Sequence, residues 1–263
     1  YKFFLSLFTD KFLEKLINQF RLFIYMKKSL RSISKNREQH SKMGALFKEF
    51  ILGGQDGLVN VLGIVLGIAI ATKDAKLVII AGLAATFAES FAMAAVAYTT
   101  AKAEEDYYRG EKEREIYEIE NMPKIEKKEM YDIYYKKGFR GKLLNDIIKH
   151  IISNKKTWLN LMMKEELGLT NEFLSPVKSA IIVGLAAMIG SFIPLISFFF
   201  LPISHAIILS LIISALALFI TGVIEAKINA LKNWGKKGIE LTLIGMTAAG
   251  IGFLIGKLLG VSA

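Results

Sequence analysis

The stretch LVIIAGLAATFAESFAMAAVAYTTA, residues 77–101, decides the fold. It carries a single charged side chain, Glu89. A helix needs about 20 apolar residues to cross a ~30 Å hydrocarbon core, and this run exceeds that. Its many alanines and its glycine are residues that let helices pack closely in lipid. Four more apolar blocks lie near 51–71, 177–200, 203–224 and 238–256. Only Leu201 and Pro202 separate the third block along the chain from the fourth, which predicts a tight helical hairpin. The chain is 53% hydrophobic, above the ~45–50% of a soluble domain, and the excess sits in these blocks. The reading is an all-α, polytopic membrane protein with five transmembrane helices.

Charge sets the expected orientation. Residues 1–50 hold eleven Lys or Arg, 104–175 hold fourteen, and 225–237 add Lys227, Lys232, Lys236 and Lys237. The opposite ends of the spans offer only Lys73, Lys76 and Lys257. The positive-inside rule then places the N-terminus in the cytoplasm and the C-terminus outside. The net charge of +10 therefore reports topology, and no nucleic-acid-binding motif accompanies it. There is no cysteine, so disulfides and thiolate metal sites are excluded. His40, His150 and His205 are scattered, and neither HExxH nor Glu-x-x-His occurs, which argues against a zinc hydrolase or a histidine-bearing di-iron enzyme. Short loops without cysteine suit a prokaryotic plasma membrane.

The chain divides into a basic amphipathic segment over 1–46, spans one and two over 47–103, a helical cytoplasmic domain over 104–175, and spans three to five over 176–263. In the first segment Phe4, Phe8, Phe12, Leu16 and Phe20 recur every four residues. That spacing fits a helix lying on the membrane surface; alternatively the stretch precedes a start at Met26 or Met43. Span two runs on as helix to about Glu120, where Asn121-Met122-Pro123 ends it. Helices follow over about 124–137, stopped by Gly138, and about 141–167, interrupted near Ser153-Asn154 and stopped by Gly168. None shows a long continuous apolar face, so this domain is expected to pack on a partner copy or on bound metal.

Fifteen of the 24 acidic residues lie in 104–175. Glu115 and Glu118, then Glu126 and Glu129, are three apart, and Met162 and Glu166 are four apart, so each pair shares a helix face. Carboxylates are hard ligands for divalent cations, and a thioether favours softer transition metals. The spacing also fits a solvated surface of mixed charge. Asp56 and Glu89 lie inside apolar spans, with Met93 one turn after Glu89. Ionisable groups at that depth usually face a polar pathway. Glu225, Lys227 and Glu240 sit at span ends, where they can snorkel to the interface.

These residues resemble the vacuolar iron transporter family, also called the yeast cross-complementer of calcium sensitivity family, over about 45–260. The resemblance is carried by Asp56-Gly57, Ala81-Gly82-Leu83-Ala84, Met93-Ala94-Ala95, Glu115-x-x-Glu118, Glu126-x-x-Glu129, Trp158, Met162-Met163, Glu165-Glu166-Leu167-Gly168 and Gly238-Ile239-Glu240-Leu241. It implies a homodimer that uses a proton gradient to export Fe²⁺, and often Mn²⁺, from the cytosol. It implies metal ligands at Glu115, Glu118, Glu126, Glu129, Met162 and Glu166, pathway residues at Asp56 and Met93, and supporting residues at Glu165, Lys227 and Glu240. It implies no enzyme and no prosthetic group, and a vacuolar membrane if the source is eukaryotic. Where the family usually has a glutamate, this chain has Ala85, and Glu89 one turn on is expected to take its place. Gly63 and Gly67 form a small-xxx-small pair that would let two copies approach along span one. The rival functions are a membrane metal sensor or scaffold without transport, and a di-iron carboxylate oxidase.

Overall fold

A computed structural model of the chain describes residues 37–171 and 174–259, with side chains from residue 44 onward. The chain divides into two units between Gly44 and Ala45, and apart from the first turns of the first helix the features described below lie in the second. The amphipathic stretch expected near the N-terminus lies outside the described residues.

The elements are α1 (Arg37–Thr72), α2 (Ala75–Asn121), α3 (Pro123–Lys136), α4 (Gly141–Ile152), α5 (Lys155–Glu165), α6 (Pro176–Leu195) with a 3₁₀ turn (Ile196–Phe199), α7 (Ile203–Ile228) and α8 (Trp234–Leu259). No strand occurs among the described residues. Among the described residues, five helices are long and apolar enough to cross a membrane: Gly44–Thr72 of α1, α2, α6 with its 3₁₀ turn, α7 and α8. Their outward faces are lined with large apolar side chains, Phe91 at 82% exposure being the extreme. Water would not tolerate such faces, whereas lipid solvates them.

Each span is set by local chemistry. Lys73, at φ +51°, turns the chain between α1 and α2. Asp74 then caps α2, its carboxylate accepting from the Lys76 N–H (2.8 Å) and the Leu77 N–H (3.4 Å). α2 has 47 residues and is ~70 Å long at 1.5 Å per residue, more than twice the hydrocarbon thickness. Its apolar run ends near Ala101, so its distal turns stand outside the bilayer. The hairpin between α6 and α7 is pinned by buried hydroxyls: Ser210 donates to the Pro194 carbonyl (2.7 Å) and Ser197 to that of Ala206 (2.9 Å).

Glycine contacts bring α1 against two other spans. A Cβ on Gly190 of α6 would lie 1.9 Å from the Gly54 carbonyl oxygen. A Cβ on Gly252 or Gly256 of α8 would lie 2.3 and 2.2 Å from those of Gly63 and Gly67. The small-residue stripe expected between two copies is thus used inside one chain. Its partner is a second stripe on α8, and the spacing alone carried no sign of which helix would meet it.

The segment between spans two and three also departs from expectation. It has a core of its own: Ile119, Met130, Leu144, Ile148, Ile151, Trp158 and Met162 pack together, all at most 7% exposed. Each helix supplies only one to three of these positions. On α4 they fall at i, i+4 and i+7, one face of a helix. No single helix needs a long apolar face when four meet at one point, and each fully buried Leu or Ile contributes about 1.5–3 kcal/mol.

Candidate functional site

The distal end of α2 meets α3 and the end of α5 beside this core. Glu115 and Glu118 come from α2. Glu126 and Glu129 lie on the first half of α3, whose start is fixed by Pro123 at its first position. Glu166 caps the end of α5, where Gly168, at φ +66°, lets the Leu169 N–H reach back to the Met163 carbonyl (2.8 Å). The structure joins these glutamates in two overlapping triads. In Glu115–Glu118–Glu126 and in Glu126–Glu129–Glu166, one carboxylate oxygen from each residue lies within 4.8 Å of the others. Glu126 belongs to both.

Burial and crowding control the charge here. Glu115 is 1% exposed and Glu126 3% exposed, and each keeps one buried oxygen without a hydrogen-bond partner. Glu115 stands beyond the apolar run of α2, outside the bilayer. Burial first, then the hydrogen bond and charge of Glu126, push its pKa up to about 8. Burial also raises Glu126, and the hydrogen bond with Glu115 works against that rise. Glu166 is raised by burial and by Glu129, Glu126 and Glu118. Left to itself, the cluster thus holds at least one proton at neutral pH, shared within the Glu115–Glu126 pair. Arg114 stands at its rim, 3.2 Å from Glu111 and 3.6 Å from Glu118, and is half exposed.

Met162 is fully buried in the apolar core with Met130 and Trp158, and its carbonyl accepts from the Glu166 N–H (3.0 Å). Each supporting residue has a partner of its own. Glu165 pairs with Lys137, the Lys227 ammonium lies 5.7 Å from the centre of the Trp234 ring, and Glu240 pairs with Lys237 at 3.0 Å.

A second polar group lies within the spans. Asn60, one turn after Asp56 on α1, donates from its amide nitrogen to Asp56 Oδ2 (3.3 Å) and to Glu89 Oε1 of α2 (3.1 Å). The Asp56 and Glu89 carboxyl groups are themselves within hydrogen-bonding reach. Met93 lines a cavity of about 140 Å³, together with Glu49, Thr100, Glu104 and Ser179. The Ser179 hydroxyl donates to one Glu49 oxygen, while the other is buried without a partner. Ala85 lies one turn before Glu89 on α2 and is half-buried. It packs on the apolar cluster of Val61, Val65, Ala69, Val78, Leu195 and Phe198. Asn60 and Glu49 escaped the sequence reading. Asn60 is polar but not ionisable, and Glu49 stands near the end of a span, where a carboxylate costs little. Their spacing from Asp56, four and seven residues, was the available signal.

A match to the VIT family covers residues 47–257. The chain is similar to vacuolar iron transporter 1 of Tulipa gesneriana, 30% identical over 227 residues, which is 86% of this chain and 92% of that protein. It is similar to vacuolar iron transporter 1 of Arabidopsis thaliana, 30% identical over 222 residues (84% and 88%). It is also similar to the vacuolar iron transporter of Plasmodium falciparum, 32% identical over 239 residues (87% of each).

Proposed function

The chain belongs to the vacuolar iron transporter family, and on that premise we propose that it exports Fe²⁺, Mn²⁺ or both from the cytosol in exchange for protons. The family is one of transporters, not enzymes, and its relatives carry iron in their names.

The observation that carries this reading is Asp56 and Glu89 held together by Asn60 between two membrane spans. A sensor or scaffold has no use for two carboxylates at that depth, where each costs several kcal/mol. An ion pathway needs them. In this reading the segment 104–175 faces the cytosol. Glu115, Glu118, Glu126, Glu129 and Glu166 take up the ion and release their shared proton, since metal and proton compete for the same oxygens. The ion then passes Met93 to Asp56 and Glu89. Protonation of those two carboxylates from the far side frees it. Asn60 is exposed on the single chain, and a second copy facing α1 and α2 would enclose the route. That supports a homodimer.

The test is flux. Full-length protein in proteoliposomes is expected to accumulate Mn²⁺ or Fe²⁺ down an imposed proton gradient. Glu89→Gln should abolish that flux while leaving the yield and monodispersity of folded protein unchanged. Normal flux with normal pH dependence in Glu89→Gln would overturn the assignment of the pathway.

A further inference from the structure

We propose that Asn60 is a direct oxygen ligand of the transported ion and sets the site's preference for hard, oxygen-seeking divalent cations. This deepens the transport reading and rests on it. The residues that carry the family resemblance do not include this one.

Without an ion, the Asn60 amide is the donor in its bonds to Asp56 and Glu89. Both of its bonds leave from one atom, Nδ2, to Asp56 Oδ2 at 3.3 Å and Glu89 Oε1 at 3.1 Å. Oδ1 takes no part in either bond. The amide thus holds two carboxyl groups from different helices at one point. A cation arriving between those carboxylates cannot share the place with an N–H₂ group, which would present its protons to the ion. Rotating the amide by half a turn exchanges Nδ2 for Oδ1 at nearly the same position. The site then has three oxygens: one from Asp56, one from Glu89 and one from Asn60.

Their spacing fits an ion. In an octahedral complex with metal–oxygen bonds of ~2.1 Å, neighbouring ligand oxygens lie ~3.0 Å apart. The Asn60 position is already 3.1–3.3 Å from the two carboxylate oxygens. Two edges of an octahedral face, those that meet at the Asn60 position, are thus already near the required length. Two carboxylates and an amide oxygen make a hard ligand set, suited to Mn²⁺ and to Fe²⁺ among the transition metals. Without the amide, the set becomes two carboxylates with the Met93 thioether one turn away, which favours a softer ion such as Cd²⁺. Position 60 therefore discriminates between ions, beyond fastening two spans together.

Two substitutions separate a ligand from a fastener. Asn60→Leu removes the oxygen and the N–H donors together, and leucine is at home in an apolar span. Asn60→Asp keeps an oxygen but cannot donate and adds a third negative charge. Each variant, as full-length protein in proteoliposomes, is assayed for its KM for Mn²⁺ and for Cd²⁺. Asn60→Leu is expected to raise the Mn²⁺ KM roughly 10- to 100-fold, with a much smaller change for Cd²⁺, so that the selectivity ratio inverts. Asn60→Asp should keep the Mn²⁺ KM within a few-fold of the parent. If Asn60 only fastens the spans, Asn60→Asp must be the worse variant, because three carboxylates then repel with no donor between them. That order, or an unchanged Mn²⁺ to Cd²⁺ ratio in Asn60→Leu, overturns the inference and leaves transport standing. A parent protein that moves neither ion overturns the transport reading, and this inference with it.

Discussion

Replacing Glu115 with glutamine is expected to make the metal-free protein more stable at pH 8 and to remove about one proton from the exchange that accompanies metal binding. The magnitude follows from the site. Glu115 is raised from 4.5 to about 8. At about 1.4 kcal/mol for each pKa unit, the difference corresponds to about 5 kcal/mol. The pair shares its proton, and the site opens to solvent at Glu166 and Arg114, so screening leaves roughly 2 kcal/mol. The sign follows from linkage. Below pH 4.5 the carboxyl is protonated in both folded and unfolded chains, and the buried neutral group costs nothing extra. Between pH 4.5 and about 8 the unfolded chain gives up this proton while the folded chain keeps it, so stability falls as pH rises. Above about 8 the loss levels off. The substituted glutamine stays neutral throughout and can donate to Glu126, so the variant escapes the penalty.

Two measurements check this. Thermal unfolding in detergent should give equal midpoints for parent and Glu115→Gln near pH 4, and a midpoint several degrees higher for the variant at pH 8. Calorimetry of Mn²⁺ binding in buffers of different ionisation enthalpy counts released protons. A group with a pKa of about 8 is ~90% protonated at pH 7, so the parent should release close to one proton there and far less at pH 9. The variant should release fewer protons than the parent at pH 7 and bind Mn²⁺ more weakly. A parent whose proton release is the same at pH 7 and pH 9 would refute the shared-proton account.

Two further outcomes are expected. Arg114→Gln should tighten Mn²⁺ binding by about two- to fivefold in calorimetry, since it removes a half-exposed cation from Glu118 and such pairs are worth about 0.2–1 kcal/mol. Moving the membrane carboxylate to the family position, as Ala85→Glu with Glu89→Ala, should lower the thermal midpoint and fail to restore proteoliposome flux, because position 85 packs on the apolar cluster that includes Val61, Val65 and Leu195, where a carboxylate is costly, and the bond from Asn60 to Glu89 is lost.

What the sequence disclosed was mostly local. Proline at 123 and glycines at 138 and 168 act on their own turns, so helix ends could be read from them, and five apolar runs each long enough to cross a bilayer were visible one at a time. What it withheld needed contacts between distant positions. Pairs such as Glu115–Glu118 share a face by spacing, yet nothing in that spacing says that the face meets Glu126. The Gly63–Gly67 stripe announces close approach without naming Gly252 and Gly256 as its partners. Ala85 and Glu89 are about 40° apart around α2, which looks like one stripe on paper. In the packed chain that angle suffices to turn one toward an apolar cluster and the other toward Asn60.

The two carboxylate sites are linked by one element, since α2 carries Glu89 within the spans and Glu118 beyond them. The residues between them do not fall at random. Glu89, Met93, Thr100, Glu104, Glu111 and Glu118 are separated by four or seven residues, which keeps them within about 60° of one helix face over ~43 Å. Every one of them offers an oxygen or sulfur donor. Met93, Thr100 and Glu104 also line the cavity that Glu49 and Ser179 share. The basic residues of this stretch stand elsewhere. Lys102 pairs with Glu105 and Asp106, and Arg109 with Asp106, on the far side of the helix. Only Arg114 reaches the donor stripe, by bonding Glu111 and Glu118 at its outer end. For the proposed transport, an ion leaving the outer cluster therefore meets fixed ligands at intervals of one or two helical turns, with Lys102 and Arg109 paired to Glu105 and Asp106 on the opposite face. Arg114, paired with Glu111 and Glu118, must yield to the ion at the start of that route.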